Sequence, residues 1–89
     1  MAERRHILFY ENVGDIVERR EPYRDAHLNE IRVGQDDGQI LMAGPLGDPP
    51  HGAAIVFVDA AKAEAFAATD PYVTSGLVTS WRVEPWTLV

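Results

Sequence analysis

In two runs of the sequence, the odd-numbered and the even-numbered positions each form a largely apolar set. This pattern constrains the fold more than any other feature. In the run 6–13, Phe9 belongs to one set while Leu8 and Tyr10 belong to the other, and the run 53–58 is almost entirely apolar. Successive side chains of a β-strand point to opposite faces of its sheet. Both runs therefore predict strands that are covered on two faces.

Turn and cap residues divide the rest of the chain into further strands and helices. Gly14 ends the first strand, and residues 36–38 stop a long helix. The predicted elements, in chain order, are a strand 6–13, a short helix 15–20, a helix from Pro22 to Asp37, strands 39–43 and 53–58, a helix 60–69 capped by Asp59, and a strand 78–84. Residues 44–52 hold three glycines and three prolines and predict a loop. Pro85 and Trp86 predict a short tail.

The β-α-β-β-α-β order predicts a ferredoxin-like α+β fold with a four-stranded antiparallel sheet. Two helices cover only one face of such a sheet, yet two of its strands are apolar on both faces. We therefore expect a second copy of the chain to cover the other face, which gives a symmetric homodimer through the sheet face. Because no internal repeat or linker divides the sequence, we expect a single domain over residues 1–89.

Composition limits the classes of function. The 89 residues include fourteen acidic and eight basic residues, which gives a net charge of −6, and the basic residues form no block. Such a surface repels phosphate backbones and anionic membranes, so we expect no nucleic acid and no membrane as partners. The absence of cysteine, of a signal peptide and of a long apolar stretch predicts a cytoplasmic protein.

His27 and Asp70 are the leading candidates for chemistry. Tyr23, His27 and Ile31 form a helical stripe that we expect to face inward. A histidine on such a stripe serves either as a packed core residue or as an acid–base group. Asp70 precedes Pro71 at a helix boundary, where an aspartate commonly caps the next turn. If Asp70 also reaches His27, it would fix the imidazole tautomer, because a carboxylate has two accepting oxygens.

Four motifs in order resemble the YciI-like (YCII-related) family over nearly the whole chain. They are Arg24-x-x-His27-Leu28, Gly38-x-Ile40-Leu41-x-Ala43-Gly44-Pro45, Ala65-Phe66-Ala67-x-x-Asp70-Pro71-Tyr72-Val73-x-x-Gly76-Leu77 and Val83-x-Pro85-Trp86. The resemblance implies a dimeric α+β barrel built from two sheets packed face to face. It also places the family's proposed active-site pair on His27 and Asp70, and implies elimination or isomerisation of a small molecule. One departure is that Pro22 precedes Arg24, whereas the family pattern has proline directly after this arginine.

Three further positions are candidate substrate contacts. Arg24 lies one helical turn before the histidine, where it either binds a carboxylate bidentately or pairs with a neighbouring acidic side chain. Tyr72 either lines the same pocket or is a half-buried aromatic residue. Gly44 and Pro45 would shape the backbone near the pocket mouth.

We expect neither a metal nor a cofactor. The three histidines are far apart in the sequence, and no glycine-rich phosphate-binding loop is present. The leading hypothesis is a small cofactor-free enzyme in which the histidine and the aspartate transfer a proton on a small organic ligand. The alternatives are a non-catalytic small-molecule-binding or accessory interaction module, and a haem-handling protein or oxygenase.

Overall fold

The computed structural model describes residues 3–89, and its strands and long helices follow the predicted order; Met1 and Ala2 of the predicted domain lie outside the described residues. The elements are β1 (Arg4–Asn12), α1 (Ile16–Arg19), α2 (Glu21–Asp36), β2 (Ile40–Leu46), β3 (Gly52–Phe57), α3 (Ala60–Thr69), α4 (Pro71–Thr74) and β4 (Val78–Thr87). The strands form one antiparallel sheet in the order β2-β3-β1-β4, which confirms the ferredoxin-like α+β arrangement. Within residues 3–89, none of the helices is both long and apolar enough to cross a membrane.

The strands β2 and β4, which form the two edges of the sheet, are longer than predicted. β2 continues to Leu46, so Gly44 and Pro45 lie in a strand, and the prediction of a loop at these residues was wrong. β4 likewise continues through Pro85 to Thr87, where a tail was predicted. Proline has no N–H group to donate to a neighbouring strand, but an edge strand tolerates this loss.

Gly52 allows β3 to begin beside β1, one residue earlier than predicted. It pairs with Glu11 across the two strands, and a Cβ atom at this position would overlap the carbonyl oxygen of Tyr10. Glycine therefore fits here without a shift of the β1 backbone, whereas a larger residue does not.

The hydrophobic core lies between the helices and one face of the sheet. Its buried members are Leu8, Tyr10, Ile16, Ile40, Ile55, Phe57, Ala63, Ala67, Tyr72, Leu77 and Val78. Ala63 and Ala67 lie one turn apart on α3, and neither exposes any surface. Their small side chains bring α3 close to the sheet, which positions the end of this helix over β1.

The helix α2 lies close to the sheet in its C-terminal half and further from it in its N-terminal half. At Gly34, a Cβ atom would overlap the side chain of Ile40 at the start of β2. On the stripe predicted to face inward, His27 is buried and Ile31 is half-buried, but Tyr23 is 39% exposed. The prediction that Tyr23 faces inward was therefore wrong, and a cavity lies under the N-terminal half of the helix.

The second face of the sheet, here called the outer face, is apolar at its centre, and its edge strands expose large apolar side chains. The strand register places Phe9 of β1, Val56 of β3, Met42 of β2 and Trp86 of β4 on this face. Met42 is 60% exposed and Trp86 is 44% exposed. Because the long helices pack on the opposite face, no element of residues 3–89 covers the outer face.

Candidate active site

A cavity of about 210 Å³ lies between α2 and the core-facing side of the sheet. Its walls include Arg24 and His27 of α2, Tyr10 and Asn12 of β1, and Tyr72 of α4. An engineered protein cavity of about 150 Å³ holds one benzene molecule. The space therefore admits a single ring or a short chain that carries a few polar groups.

The carboxylate of Asp70 is positioned by the junction of two helices. α3 ends at Thr69 and α4 begins at Pro71, with Asp70 in an extended conformation between them. Its Oδ1 accepts a hydrogen bond of 3.2 Å from the backbone N–H of Tyr72 and thereby caps α4. Asp70 is only 1% exposed, and a carboxylate buried to this extent needs hydrogen-bond donors.

The imidazole of His27 provides one of these donors. Its Nδ1 lies 2.9 Å from both Oδ1 and Oδ2 of Asp70. Since an ionised carboxylate only accepts hydrogen bonds, Nδ1 carries the proton and donates it. When the ring is neutral, the lone pair is on the other ring nitrogen, Nε2, which makes no hydrogen bond with any residue from 3 to 89. This is the arrangement of a base whose tautomer is held by its partner.

Aromatic contacts hold the plane of the His27 ring. The ring stacks on Tyr72 with 3.8 Å between the ring centroids and 6° between the planes. Phe66 meets the imidazole edge-on, with the centroids 6.5 Å apart. Together with the bond to Asp70, these contacts restrict rotation of the imidazole and keep it at the cavity wall.

Tyr10 provides the third donor to the carboxylate, and the sequence pattern did not place it in the site. Its hydroxyl donates a hydrogen bond of 2.7 Å to Oδ2 of Asp70. Burial raises the pKa of the Tyr10 hydroxyl, and the negative charge of Asp70 and the hydrogen bond to it raise this pKa further. The hydroxyl therefore stays protonated and remains a donor.

Two arginines give the cavity a positively charged wall, although the chain as a whole is acidic. Arg20 and Arg24 both line the cavity and lie one helical turn apart. Burial raises the pKa of the Tyr72 hydroxyl, while the charges of the two arginines act to lower it. Neither arginine forms an ion pair within residues 3–89, so the predicted alternative of an acidic neighbour for Arg24 is not observed.

Polar and backbone groups of the sheet complete the cavity. Asn12 lines it from β1, and its enclosed Oδ1 has no hydrogen-bond partner among residues 3–89. Gly44 and Pro45 line it from β2, where they add backbone and apolar surface without a charged group. The charged groups are therefore concentrated on the helical side of the cavity.

The sequence model of the YCII-related domain family matches residues 5–87, which is nearly the whole chain. The protein belongs to the YCII-related domain family. Two relatives named protein YciI, from Escherichia coli O6:H1 and Shigella flexneri, are each 30% identical to it over 92 aligned residues. These alignments cover 91% of this chain and 94% of each relative. The family resemblance seen in the four sequence motifs is thus confirmed.

A solved structure shares the fold of this YCII-related protein. It is a 5-chloro-2-hydroxyhydroquinone dehydrochlorinase from Burkholderia phenoliruptrix AC1100, in complex with 2,5-dihydroxybenzoquinone. The two structures superpose with a TM-score of 0.74 over 92% of each chain, at 18% sequence identity. At this level of identity, the likeness concerns the fold alone.

The candidate residues of this YCII-related protein come together at one cavity. His27 and Asp70 are in contact, and Tyr72 stacks on the histidine. Arg24 and residues 44–45 lie in the cavity wall. Asp70 caps α4 and contacts His27 at the same time, so both interpretations of this aspartate describe the structure.

Three polar residues of the cavity wall, Tyr10, Asn12 and Arg20, were not expected from the sequence. The place of Tyr10 could have been suspected from the sequence, because a tyrosine on the core-facing side of a strand needs a hydrogen-bond partner for its hydroxyl. Arg20 had a weaker signal in its spacing of four residues from Arg24. Asn12 had none, since its place at the cavity depends on how the sheet and α2 pack. Within residues 3–89, no three His, Cys, Asp or Glu side chains gather as ligands for a metal ion.

Proposed function

We propose that this protein is an enzyme that transfers a proton on a small organic substrate, in an elimination or isomerisation reaction. The observation that carries the proposal is the state of His27, whose Nδ1 is bound to a buried carboxylate while its Nε2 is uncommitted at a cavity wall. A neutral imidazole is the side chain best suited to accept a proton near neutral pH. Among residues 3–89, His27 has the sole imidazole that lines this cavity.

In the proposed reaction, Nε2 of His27 accepts a proton from a C–H bond of the substrate. The electron pair of that bond forms a new double bond. In an elimination, a leaving group departs with its own bonding pair, whereas in an isomerisation the Nε2–H group returns the proton to a different atom. The positive charge that forms on the imidazole is stabilised by Asp70, whose position Tyr10 and Tyr72 hold. This chemistry needs no cofactor.

The remaining cavity residues are proposed substrate contacts. Arg24 and Tyr72 supply polar groups beside His27, while Gly44 and Pro45 shape the opposite wall. A dehydrochlorinase, as the structural neighbour is named, removes HCl, and this is an elimination of the proposed kind. The neighbour thus supports the class of reaction and carries no information on the substrate of this chain.

Deuterium exchange tests the proposal before the substrate is known. A panel of small organic compounds, each with an acidic C–H bond, is incubated with the protein in D2O, and the C–H signals are followed by proton NMR. A base that removes the proton also allows its replacement by deuterium. We expect catalysed exchange for at least one compound, and a rate about 10²–10⁴-fold lower with His27→Gln.

The matched control is His51→Gln, because His51 is an exposed histidine in the turn between β2 and β3 and does not line the cavity. This variant should exchange the same compound at the wild-type rate. Exchange that survives in His27→Gln would contradict the assignment of the base. If no compound exchanges, the proposed enzyme activity is contradicted, and the predicted small-molecule-binding or accessory module becomes the better description.

We also propose that the outer face of the sheet packs against a second copy of the chain. This face has an apolar centre that includes Phe9, Val56 and Met42. It also carries charges of both signs, since Arg82 and Glu84 lie on the same face of β4. Two copies related by a two-fold axis can therefore bury the apolar centre and match opposite charges.

Sedimentation analysis of a charged variant tests this dimer. Phe9→Glu places a carboxylate at the centre of the outer face. Arg82, whose guanidinium lies 4.5 Å from the centre of the Phe9 ring, could pair with it, but burying such an ion pair in an interface costs more than burying an apolar side chain. We expect the wild-type protein to sediment as a dimer and Phe9→Glu as a monomer. Val33→Glu is the control, because Val33 is 52% exposed on α2 and lies on the helical side. A monomeric wild-type protein, or a dimer unaffected by Phe9→Glu, would refute the proposed interface.

A further inference from the structure

We propose that Arg20 and Arg24 form an anion subsite, so that the ligand of this cavity is a small organic anion with its charge on a planar, delocalised oxygen group. The reaction of the bound anion rests on the proposed function, whereas its binding can be measured without any reaction. Carboxylates, enolates and phenolates share this chemistry. A planar guanidinium recognises such groups through paired N–H donors.

The first argument is that both arginines lack a counter-charge in an acidic protein. The chain has fourteen acidic residues and a net charge of −6, yet neither Arg20 nor Arg24 pairs with a carboxylate of residues 3–89. By contrast, Arg19 immediately before them pairs with Asp15 at 3.5 Å. Two neighbouring positive charges without partners at a cavity wall favour a negatively charged occupant.

The second argument is the position of the arginines relative to the proposed base. Arg20, Arg24 and His27 are spaced by four and three residues, which places them in a row along one side of α2. An oxyanion held by the guanidinium groups therefore places the rest of the molecule beside Nε2 of His27. The cavity of about 210 Å³ limits that remainder to roughly one ring.

The third argument is electrostatic. The charges of both arginines reach the hydroxyl of Tyr72, whose pKa they act to lower against the effect of burial. The ring of Tyr72 stacks on His27, so the charges of the two arginines act close to the place where the substrate would lose its proton, beside the opposing negative charges of Asp70 and Glu21. A fixed positive charge at this place stabilises the negative charge that develops on the substrate during proton removal.

Binding of matched anionic and neutral probes tests the subsite. Benzoate and acetate are compared with benzamide and acetamide, which have nearly the same shapes without the charge, by titration followed through amide NMR shifts. We expect benzoate to bind at least about tenfold more tightly than benzamide, because hydrogen bonds to a charged group are the stronger ones. Arg20→Gln and Arg24→Gln should each weaken benzoate binding by about tenfold or more and leave benzamide unchanged.

The control is Arg32→Gln, which removes the same charge from an exposed position of α2 outside the cavity lining. It should change benzoate binding by less than about twofold, since exposed charges at a distance are screened. Absence of benzoate binding, equal binding of benzoate and benzamide, or equal losses in Arg24→Gln and Arg32→Gln would each overturn the subsite.

His27→Gln separates this proposal from the proposed function. The variant should still bind benzoate, because the guanidinium groups are unchanged, while its deuterium exchange is lost. Benzoate binding through the arginines without exchange of any compound would support the subsite and contradict proton transfer. Exchange of neutral compounds only, without benzoate binding, would contradict the subsite and support proton transfer.

Discussion

Replacement of Asp70 by asparagine probes the buried hydrogen-bond network, because the two side chains have the same shape. Oδ1 of Asp70 accepts from the backbone N–H of Tyr72, and Oδ2 accepts from the hydroxyl of Tyr10. In asparagine, one of these two positions becomes an NH2 group, which is itself a donor. If the NH2 group turns toward Tyr72, it faces the backbone N–H, which can only donate. If it turns toward Tyr10, the phenol oxygen can accept from it, but the phenol hydrogen loses its acceptor. At least one hydrogen bond donated to residue 70 is therefore lost.

The expected loss of stability follows from the burial of the group. A hydrogen bond to a charged partner contributes about 1.5–3 kcal/mol, and Asp70 is almost fully buried, so solvent cannot replace the lost partner. For a domain of this size, each 1 kcal/mol shifts Tm by about 4–8 °C. Asp70→Asn should therefore lower Tm by roughly 6–24 °C.

The double variant makes this prediction specific to the network. When Tyr10 is also replaced by phenylalanine, the NH2 group can turn toward position 10 without meeting a donor. The other oxygen can then still accept from Tyr72 and His27. We therefore expect the combined loss of Asp70→Asn and Tyr10→Phe to be smaller than the sum of the single losses, by about 0.5–3 kcal/mol.

Urea unfolding followed by circular dichroism measures all three variants. Asp59→Asn is the control, because Asp59 caps α3 by accepting from Ala61 N–H at 2.7 Å, and asparagine caps as well as aspartate. Its effect should be small. A free energy of unfolding for Asp70→Asn equal to that of the wild type, or strict additivity in the double variant, would refute the reasoning.

Other substitutions and conditions test the surrounding structure. The free energy of unfolding should decrease as the pH rises above about 10, where unfolded tyrosine ionises, because the pKa values of Tyr10 and Tyr72 are raised in the fold. Below that pH, both tyrosines are protonated in the folded and the unfolded chain, and their full contribution to stability is present. In urea titrations over a series of pH values, Tyr10→Phe should lose less free energy of unfolding above about pH 10 than the wild type does. An equal loss in the two proteins would contradict the burial of this hydroxyl. Gly52→Ala should cost about 1–3 kcal/mol in thermal unfolding, because its Cβ overlaps the backbone of β1, and a wild-type Tm would disprove the close approach. Asp59→Ala should cost about 0.5–2 kcal/mol by the same measurement, and no change would show that the cap is dispensable.

Much of the fold was predictable because its determinants are local or periodic. The alternate apolar residues of β1 and β3 predicted both strands, and the cap residue Asp59 predicted the start of α3. The edge strands were less accessible to prediction. A proline such as Pro45 or Pro85 breaks a strand only where a neighbouring strand needs a backbone N–H at that position. Whether it does depends on the order of strands in the sheet.

The site could be predicted only in part, because its contacts cross the whole chain. Tyr10 and Asp70 are sixty residues apart in sequence, and their contact requires that α3 end over β1. The family motifs located His27 and Asp70, but motifs do not show which oxygen accepts from which donor. The exposure of Tyr23 likewise depends on how α2 packs on the sheet, which the spacing of the stripe does not determine.

Nitrogen-15 NMR of the His27 ring tests the central claim most directly. In the neutral imidazole, the chemical shifts of the two ring nitrogens distinguish the one that carries the proton from the one with the lone pair, and comparison with His27→Gln assigns the signals. We predict that Nδ1 carries the proton, which it donates to Asp70, and that Nε2 has the lone pair. A neutral ring with its proton on Nε2 would contradict the role of His27 as a base at the cavity wall.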